Sequence, residues 1–515
     1  MTTTLKSFVC GQWFTGTGTP AKLFNPVTEE VIAETSTAGI NFPEALAFAR
    51  TKGGPALRKM TFAKRGELLM AMSKAIHAHR EELLDLAAQN GGNTRGDGKF
   101  DIDGATGTLA FYANLGKELG DRHTLPDGDP ILLTRNPRWV GRHVLSPRHG
   151  VAILINAFNF PAWGFAEKAA TAILAGMPVV NKPATSTALV AARIAEILVE
   201  SKVMPEGSFT SVCGSAGDML DHVGWQDVVS FTGSSHTGLT IRSNKAILEN
   251  NVRVNVEADS LNAAILGPDL DSDSDTYDLF LKEVSRDMTQ KAGQKCTATR
   301  RIFVPSDSIE QVGEDLVEQL KRIKAGEPTL KGVKTGPLAT KGQLEDAMAG
   351  LKRVAECTTT LCGGERGTLE GINHDRGYFL SPTLLLASDA TTAELHDREI
   401  FGPVAILIPY NGTVEEAASL IELGRGSLVS SVYSDKSSFL INLAQAIGPF
   451  LGRLHLASSK IAEHSIGPGT VLPQLMHGGP GRAGGGQELG GTRGLEFYMQ
   501  RTAVQGYAPL LEKLL

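Results

Sequence analysis

Cys296 stands in the run Ala-Gly-Gln-Lys-Cys-Thr-Ala, just past a helical pattern over residues 277–290 and across a glycine. A turn at such a boundary exposes a thiol, and Lys295 beside it is expected to favour the thiolate, the form that attacks carbonyl carbon. Read alone, the residue equally fits a small buried hydrophobe. Glu257 closes the apolar run Val254-Asn255-Val256, where a carboxylate is costly without a partner or a task. A partly buried glutamate of raised pKa suits a general base; the plain alternative is a strand-end carboxylate facing water, Arg253 or Lys291. Asn159, in Asn156-Ala-Phe-Asn-Phe-Pro161, offers a side-chain amide that can stabilise an oxyanion, or serves only as a turn former. The run Phe231-Thr-Gly-Ser-Ser-His-Thr-Gly238 lacks the GxGxxG spacing, yet its glycines allow close backbone approach and a helix start there suits a phosphate.

These residues need elements to hold them. Between 151 and 257, short apolar runs at 151–156, 177–181, 209–213, 227–231 and 252–256 alternate with helical patterns near 163–175, 188–201, 218–223 and 237–248. Strands joined by helical crossovers are parallel, so a doubly wound α/β sheet is expected, with ligands at the carboxyl ends of its strands. A helical lead-in covers 61–92. A second α/β alternation runs from 262 to about 456, with strands at 301–304 and 428–433 and helices near 309–323 and 439–447. Residues 131–146 alternate apolar and polar side chains as an exposed arm would. The glycine-dense tail 478–494 reads as loop, followed by a strand over 498–507.

Composition fits a packed enzyme-sized chain. The 515 residues are 42% hydrophobic and 21% charged, and 57 glycines with 24 prolines fall well short of the roughly 25–30% that marks low complexity. A net charge of −6 gives no broad positive field for nucleic acid. No apolar run reaches the roughly 18 residues of a membrane span, and no secretory leader is evident, so a soluble cytoplasmic protein without a membrane partner is expected. Five cysteines, Cys10, Cys213, Cys296, Cys357 and Cys362, form neither a disulfide framework nor a CxxC metal pair, and no metal is expected.

The pieces together resemble the aldehyde dehydrogenase superfamily, from Phe24-Asn-Pro-Val-Thr-Glu-Glu-Val-Ile32 to the last strand. The carrying motifs are Asn159-Phe-Pro161, Lys182-Pro-Ala184, Phe231-Thr-Gly-Ser234, Glu257, Gly293-Gln-Lys-Cys-Thr297 and Glu399-Ile-Phe-Gly-Pro403. The resemblance implies a dinucleotide-binding domain from 1–130 and 147–261, a catalytic domain at 262–480, and an oligomerisation arm from 131–146 and 497–515. It implies that Cys296 attacks the aldehyde, that Asn159 and the Cys296 N–H form the oxyanion hole, and that Glu257 activates the hydrolytic water. Lys168 falls on the family's lysine near the site, with Glu167 and Glu496 as a proton relay.

For the cofactor, the resemblance assigns Phe158, Lys182, Thr185, Gly233, Ser234, Glu399 and Phe401. Many NAD-using members carry a glutamate where Thr185 stands, so nothing here repels a 2′-phosphate and Lys182 can pair with it; NADP is expected in preference to NAD. Ala258-Asp-Ser-Leu-Asn262 departs from the usual Leu-Gly-Gly-Lys after the glutamate. The run Gly293–Arg301 is most similar to the branch that oxidises semialdehydes of coenzyme A thioesters in aromatic-acid degradation, benzoate included. The expected substrate is thus a small aldehyde, coenzyme A-linked, and the expected assembly a homodimer or tetramer. Two alternatives remain: acyl transfer to coenzyme A in place of water, and a non-catalytic binding or structural protein on the same scaffold.

Overall fold

The computed structural model describes residues 3–513; the ends of the expected segments at 1–2 and 514–515 lie outside them. Its first large sheet has seven strands. In spatial order Arg253–Glu257, Val228–Thr232, Ala152–Ile155, Val179–Lys182 and Phe209–Ser211 run parallel, and the hairpin Ser7–Val9 with Gln12–Phe14 closes one edge antiparallel. The five parallel strands are those the apolar runs marked. Ala152–Ile155 is buried at every position, which is why it reads as a continuous apolar run and not as an alternation. The helix Trp163–Leu174 that follows is buried along its whole length, Glu167 and Lys168 included.

The crossovers depart from expectation in two places. The helix expected at 218–223 is a single tight turn, Met219–His222, and the one expected at 237–248 is two helices, Ser235–Arg242 and Lys245–Glu249. Asn244 breaks the second pair because its side chain caps the new helix, accepting from the N–H of Ile247. The lead-in is likewise two helices, Phe62–Ala78 and Arg80–Gly91. A helix absent from the sequence reading, Arg95–Leu119, packs on both. Five glycines weaken its propensity, but the Thr94–Asp97 capping box starts it and Ile102, Ala105, Leu109, Tyr112 and Ala113 bury one face.

The second large sheet orders Thr358–Cys362, Thr383–Ala387, Val404–Tyr410, Arg301–Pro305, Ala263–Leu266, Ser427–Tyr433 and Leu451–Ala457, all parallel except the first. A third, antiparallel sheet joins Leu125–Leu132, Trp139–Pro147 and Met499–Tyr507, so the arm begins before residue 131. Ile131, Leu132, Trp139 and Tyr507 are exposed along it. No helix of the described residues is long and apolar enough to cross a membrane.

The glycine-dense tail corrects the loop reading of 478–494. Gln487–Leu489 pairs antiparallel with Met476–Gly478, setting His477 opposite Glu488. The glycines serve close approach: at Gly484, with φ of 101°, a Cβ would lie 2.3 Å from the carbonyl oxygen of Val256. Gly486 donates its N–H to that same oxygen at 3.1 Å, so the tail lies against the strand that ends in Glu257.

Candidate active site

Cys296 reaches its place through a strained turn. After the helix Asp275–Thr289, Lys291 and Ala292 take positive φ values of 55° and 52°, conformations costly for residues with a side chain. Asn262 pins the far side, its amide donating to the carbonyls of Cys296 at 2.7 Å and Ala298 at 2.8 Å. Arg300 pins the near side, donating to the Gly293 carbonyl at 2.8 Å and to Glu399 at 2.9 Å. Neither was singled out from the sequence as a support, although Asn262 lies in the unusual segment after Glu257.

The thiol faces a cavity of about 540 Å³ lined by Phe100, Gly104, Gly107, Phe111, Phe160 and Trp163, with Lys99 and Asp103 also on its wall. Burial, then the neighbouring Glu257 carboxylate, push the thiol well above its ordinary value. The expected assistance from Lys295 is not there. Its ammonium, fully buried, donates instead to Asp287 at 3.2 Å and Gln290 at 2.9 Å.

Glu257 is 1% exposed, so the reading of a water-facing carboxylate fails, and its partner is neither Arg253 nor Lys291. Its Oε1 lies 3.2 Å from Nε2 of His477, the same nitrogen that lies 3.7 Å from Sγ of Cys296. The sequence reading expected a raised pKa for this glutamate. Burial does raise it, but His477 and Lys168 outweigh burial and hold the carboxyl down at about 2.

Behind this pair lies a buried ionic group. Lys168 Nζ contacts Glu167 at 2.7 Å and Glu488 at 3.2 Å, and oxygens of Glu167, Glu257 and Glu488 lie within 4.8 Å of one another. Burial works against the lysine's charge, but Glu167, Glu488 and Glu257 overcome it and hold the ammonium protonated. One ammonium cannot neutralise three carboxylates, and burial drives Glu167 well above the ordinary range. Glu496 corrects the expected relay: its exposed carboxylate pairs with Arg501 at 2.8 Å on the arm strand, and Glu488 holds the place beside Lys168. His477 and Glu488 were missed because the tail reads as loop; their one signal was two ionisable residues flanking that run of glycines.

Asn159 is buried and its amide donates to the carbonyl of Gln294 at 2.9 Å, two residues before the cysteine. The cofactor candidates gather at the carboxyl ends of the first sheet. Lys182 ends its strand, largely buried, with no side-chain partner among the described residues, and burial lowers its pKa. Thr185 opens the turn Thr185–Thr187, and Thr187 donates to the carbonyl of Phe158 at 2.7 Å. Phe158 packs edge-on against Phe401, ring centres 5.8 Å apart. Gly233 donates to the Glu257 carbonyl at 3.1 Å, and Ser234 caps the helix Ser235–Arg242. Glu399 also accepts from the N–H of Ser260 at 3.0 Å. Asp259, not foreseen, occupies that helix start through the N–H and hydroxyl of Ser235.

A half-buried thiol on a cavity wall, with a carboxylate within reach, suits nucleophilic attack on a carbonyl carbon. Residues 13–504 match the aldehyde dehydrogenase family, and the chain belongs to it. It is an aldehyde dehydrogenase, an oxidoreductase of a family that uses a nicotinamide cofactor. The chain is 42% identical over 479 residues to the 3,4-dehydroadipyl-CoA semialdehyde dehydrogenase of Aromatoleum evansii, covering 92% of this chain and 93% of that one. It is 28% identical over 468 residues to the alpha-ketoglutaric semialdehyde dehydrogenase of Bacillus subtilis (strain 168), covering 89% and 91%. In fold it is similar to the betaine aldehyde dehydrogenase of Staphylococcus aureus solved in complex with NAD+, with a TM-score of 0.83, 24% identity and coverage of 98% and 95%.

Proposed function

We propose that the chain oxidises a coenzyme A-linked semialdehyde, of the 3,4-dehydroadipyl-CoA type, to the free acid with NADP+. The observation that carries this reading is the Cys296 thiol on the wall of a mostly apolar cavity of about 540 Å³, with Glu257 behind it. Gly104 and Gly107 widen the cavity: a Cβ at Gly107 would meet nothing within 4 Å. Such a space admits an acyl chain with a thioester tail, and Lys99 on its wall suits anionic groups.

Cys296 adds to the aldehyde carbon, and the oxyanion rests near the Cys296 N–H and the Asn159 amide once that amide leaves the Gln294 carbonyl. A bound nicotinamide cofactor would supply the hydride acceptor. Glu257 then takes a proton from water as it attacks the thioacyl carbon, and Lys168 with Glu167 and Glu488 conducts that proton away. Glu496 has no part in that path.

Lys182 fits the NADP+ 2′-phosphate. Among the described residues its ammonium is unpaired and no carboxylate acts on it, and the uncharged Thr185 three residues on adds no repulsion toward a phosphate. Phe158, Gly233, Ser234, Glu399 and Phe401 line the remaining path for the dinucleotide. The sheet of residues 1–130 and 147–261 serves as the nucleotide-binding unit and 262–480 as the catalytic unit. The arm, with its exposed Ile131, Leu132, Trp139 and Tyr507, joins a second copy.

Initial rates with propanal and with a coenzyme A-linked semialdehyde, each with NAD+ and NADP+, test the reading. Higher kcat/KM for the linked aldehyde and for NADP+ is expected. Equal values across the four pairs would overturn it.

A further inference from the structure

His477 is 1% exposed, packed with its ring 5.9 Å from that of Trp163, and it touches both groups assigned to the chemistry. The same Nε2 stands 3.7 Å from Cys296 Sγ and 3.2 Å from Glu257 Oε1, while Nδ1 has no hydrogen-bond partner among the described residues. With Nδ1 carrying its own hydrogen, sulfur, nitrogen and carboxylate oxygen are three acceptors around a single mobile proton. An apolar core has no use for a ring nitrogen aimed between a thiol and a carboxylate, since a buried polar atom without purpose costs stability.

We propose that His477 Nε2 carries the thiol proton of Cys296 to Glu257 as the sulfur adds to the aldehyde, which makes His477 a fourth catalytic residue. The proposal rests on the assignment of Cys296 as nucleophile. In the step, the S–H bond breaks and an N–H bond forms at Nε2; the sulfur pair forms the C–S bond, and the carbonyl π pair moves to oxygen. The imidazolium charge is met by Glu257. Passing that proton to Oε1 and on through Lys168, whose ammonium gives one of its own protons to Glu488 as it takes one, leaves His477 neutral. Glu257 is then ionised again beside a neutral His477, free to take a proton from the hydrolytic water. Acylation therefore prepares the base that deacylation needs.

The groups facing this cluster are few. Glu167 and Lys168 come from the buried helix, Glu399 from the loop beside the cysteine, Arg453 from the strand Leu451–Ala457, and Glu488 from the strand paired with His477. Among the described residues Glu257 and His477 are the side chains that bond to the sulfur, so a step in thiol reactivity that both His477 variants abolish belongs to the imidazole.

The test is the pH dependence of iodoacetamide alkylation at Cys296 in the full chain, with His477→Gln, His477→Phe and Cys296→Ala alongside. Wild type is expected to show a step in alkylation rate below the alkaline rise of the thiol itself. In the two His477 variants the step disappears, alkylation at pH 7 falls at least tenfold, and the pre-steady-state rate of cofactor reduction falls by about 10²–10⁴. A wild-type profile with only an alkaline rise overturns the proposal without any variant. So does a His477 variant that keeps the wild-type profile and the wild-type reduction rate. Turnover persisting in Cys296→Ala would instead remove the nucleophile assignment beneath it.

Discussion

Replacing Lys168 with Met tests the buried charge group most directly, because among the described residues the lysine is the one cation paired with Glu167 and Glu488. The side chain is fully buried, and among the described residues it is the one donor to the Glu167 carboxylate, whose second oxygen already lacks a partner. Met keeps most of the volume, so the loss is electrostatic and leaves little cavity. Removing one partner of a buried ion pair costs about 3–5 kcal/mol. For a cooperative unit of 150–250 residues each kcal/mol moves Tm by roughly 2–4 °C, which gives a fall of about 6–20 °C near pH 8. The sign of the pH dependence follows from Glu167. Its folded pKa lies above the ordinary carboxylate value of 4.5, so its protonated form stabilises the fold below that value, and the benefit is lost as pH rises through the folded pKa. Without Lys168 the carboxylates are pushed further up, so the variant loses more with rising pH than wild type does. Scanning calorimetry of both proteins between pH 5 and pH 8 is expected to show a Tm gap that is smallest at pH 5. A variant with wild-type Tm at pH 8, or a gap that widens toward low pH, would refute this account of the site.

Glu257→Gln is expected to give a burst of one reduced cofactor per site and then a steady rate lower by about 10²–10⁴, with acyl-enzyme detectable by intact-mass analysis; undiminished acid release would reject its role. Gly107→Phe fills open space on the cavity wall, so the variant should fold, and it should raise KM for a coenzyme A-linked aldehyde while leaving propanal unaffected; a parallel change in both substrates would show that the cavity does not select. Thr185→Glu sets a carboxylate beside Lys182, so kcat/KM for NADP+ should fall at least tenfold, about 1.4 kcal/mol, with NAD+ little changed; an unaltered cofactor ratio would move the 2′-phosphate elsewhere.

The parallel sheets were legible because burial on both faces turns each central strand into a short apolar run, as in Ala152–Ile155 and Ser427–Tyr433. Residue context alone left Cys296 and Glu257 open between a chemical and a plain reading; the family motifs singled them out, and the structure brings both beside His477. What could not be read was direction. Lys295 is adjacent to the cysteine in the chain yet aims its ammonium at Asp287 and Gln290, away from the thiol's contact with His477. Glu496 sits eight positions past Glu488 and faces the arm.

The tail shows why such losses concentrate at the site itself. Glycine there is required by contact between two backbones, Gly484 and Gly486 against Val256, and a contact distant in sequence leaves no periodicity to detect. Once the tail is pressed against that strand, the antiparallel register of the hairpin decides the rest: His477 and Glu488 stand opposite each other, one beside the thiol and the other beside Lys168. The glycines therefore carry chemistry without bearing a reactive group. Any side chain at Gly484 would lift the hairpin off Val256 and withdraw both ionisable residues from Glu257 at once, and the carboxylate would lose the two neighbours that hold it ionised, His477 by contact and Lys168 through its anchor on Glu488.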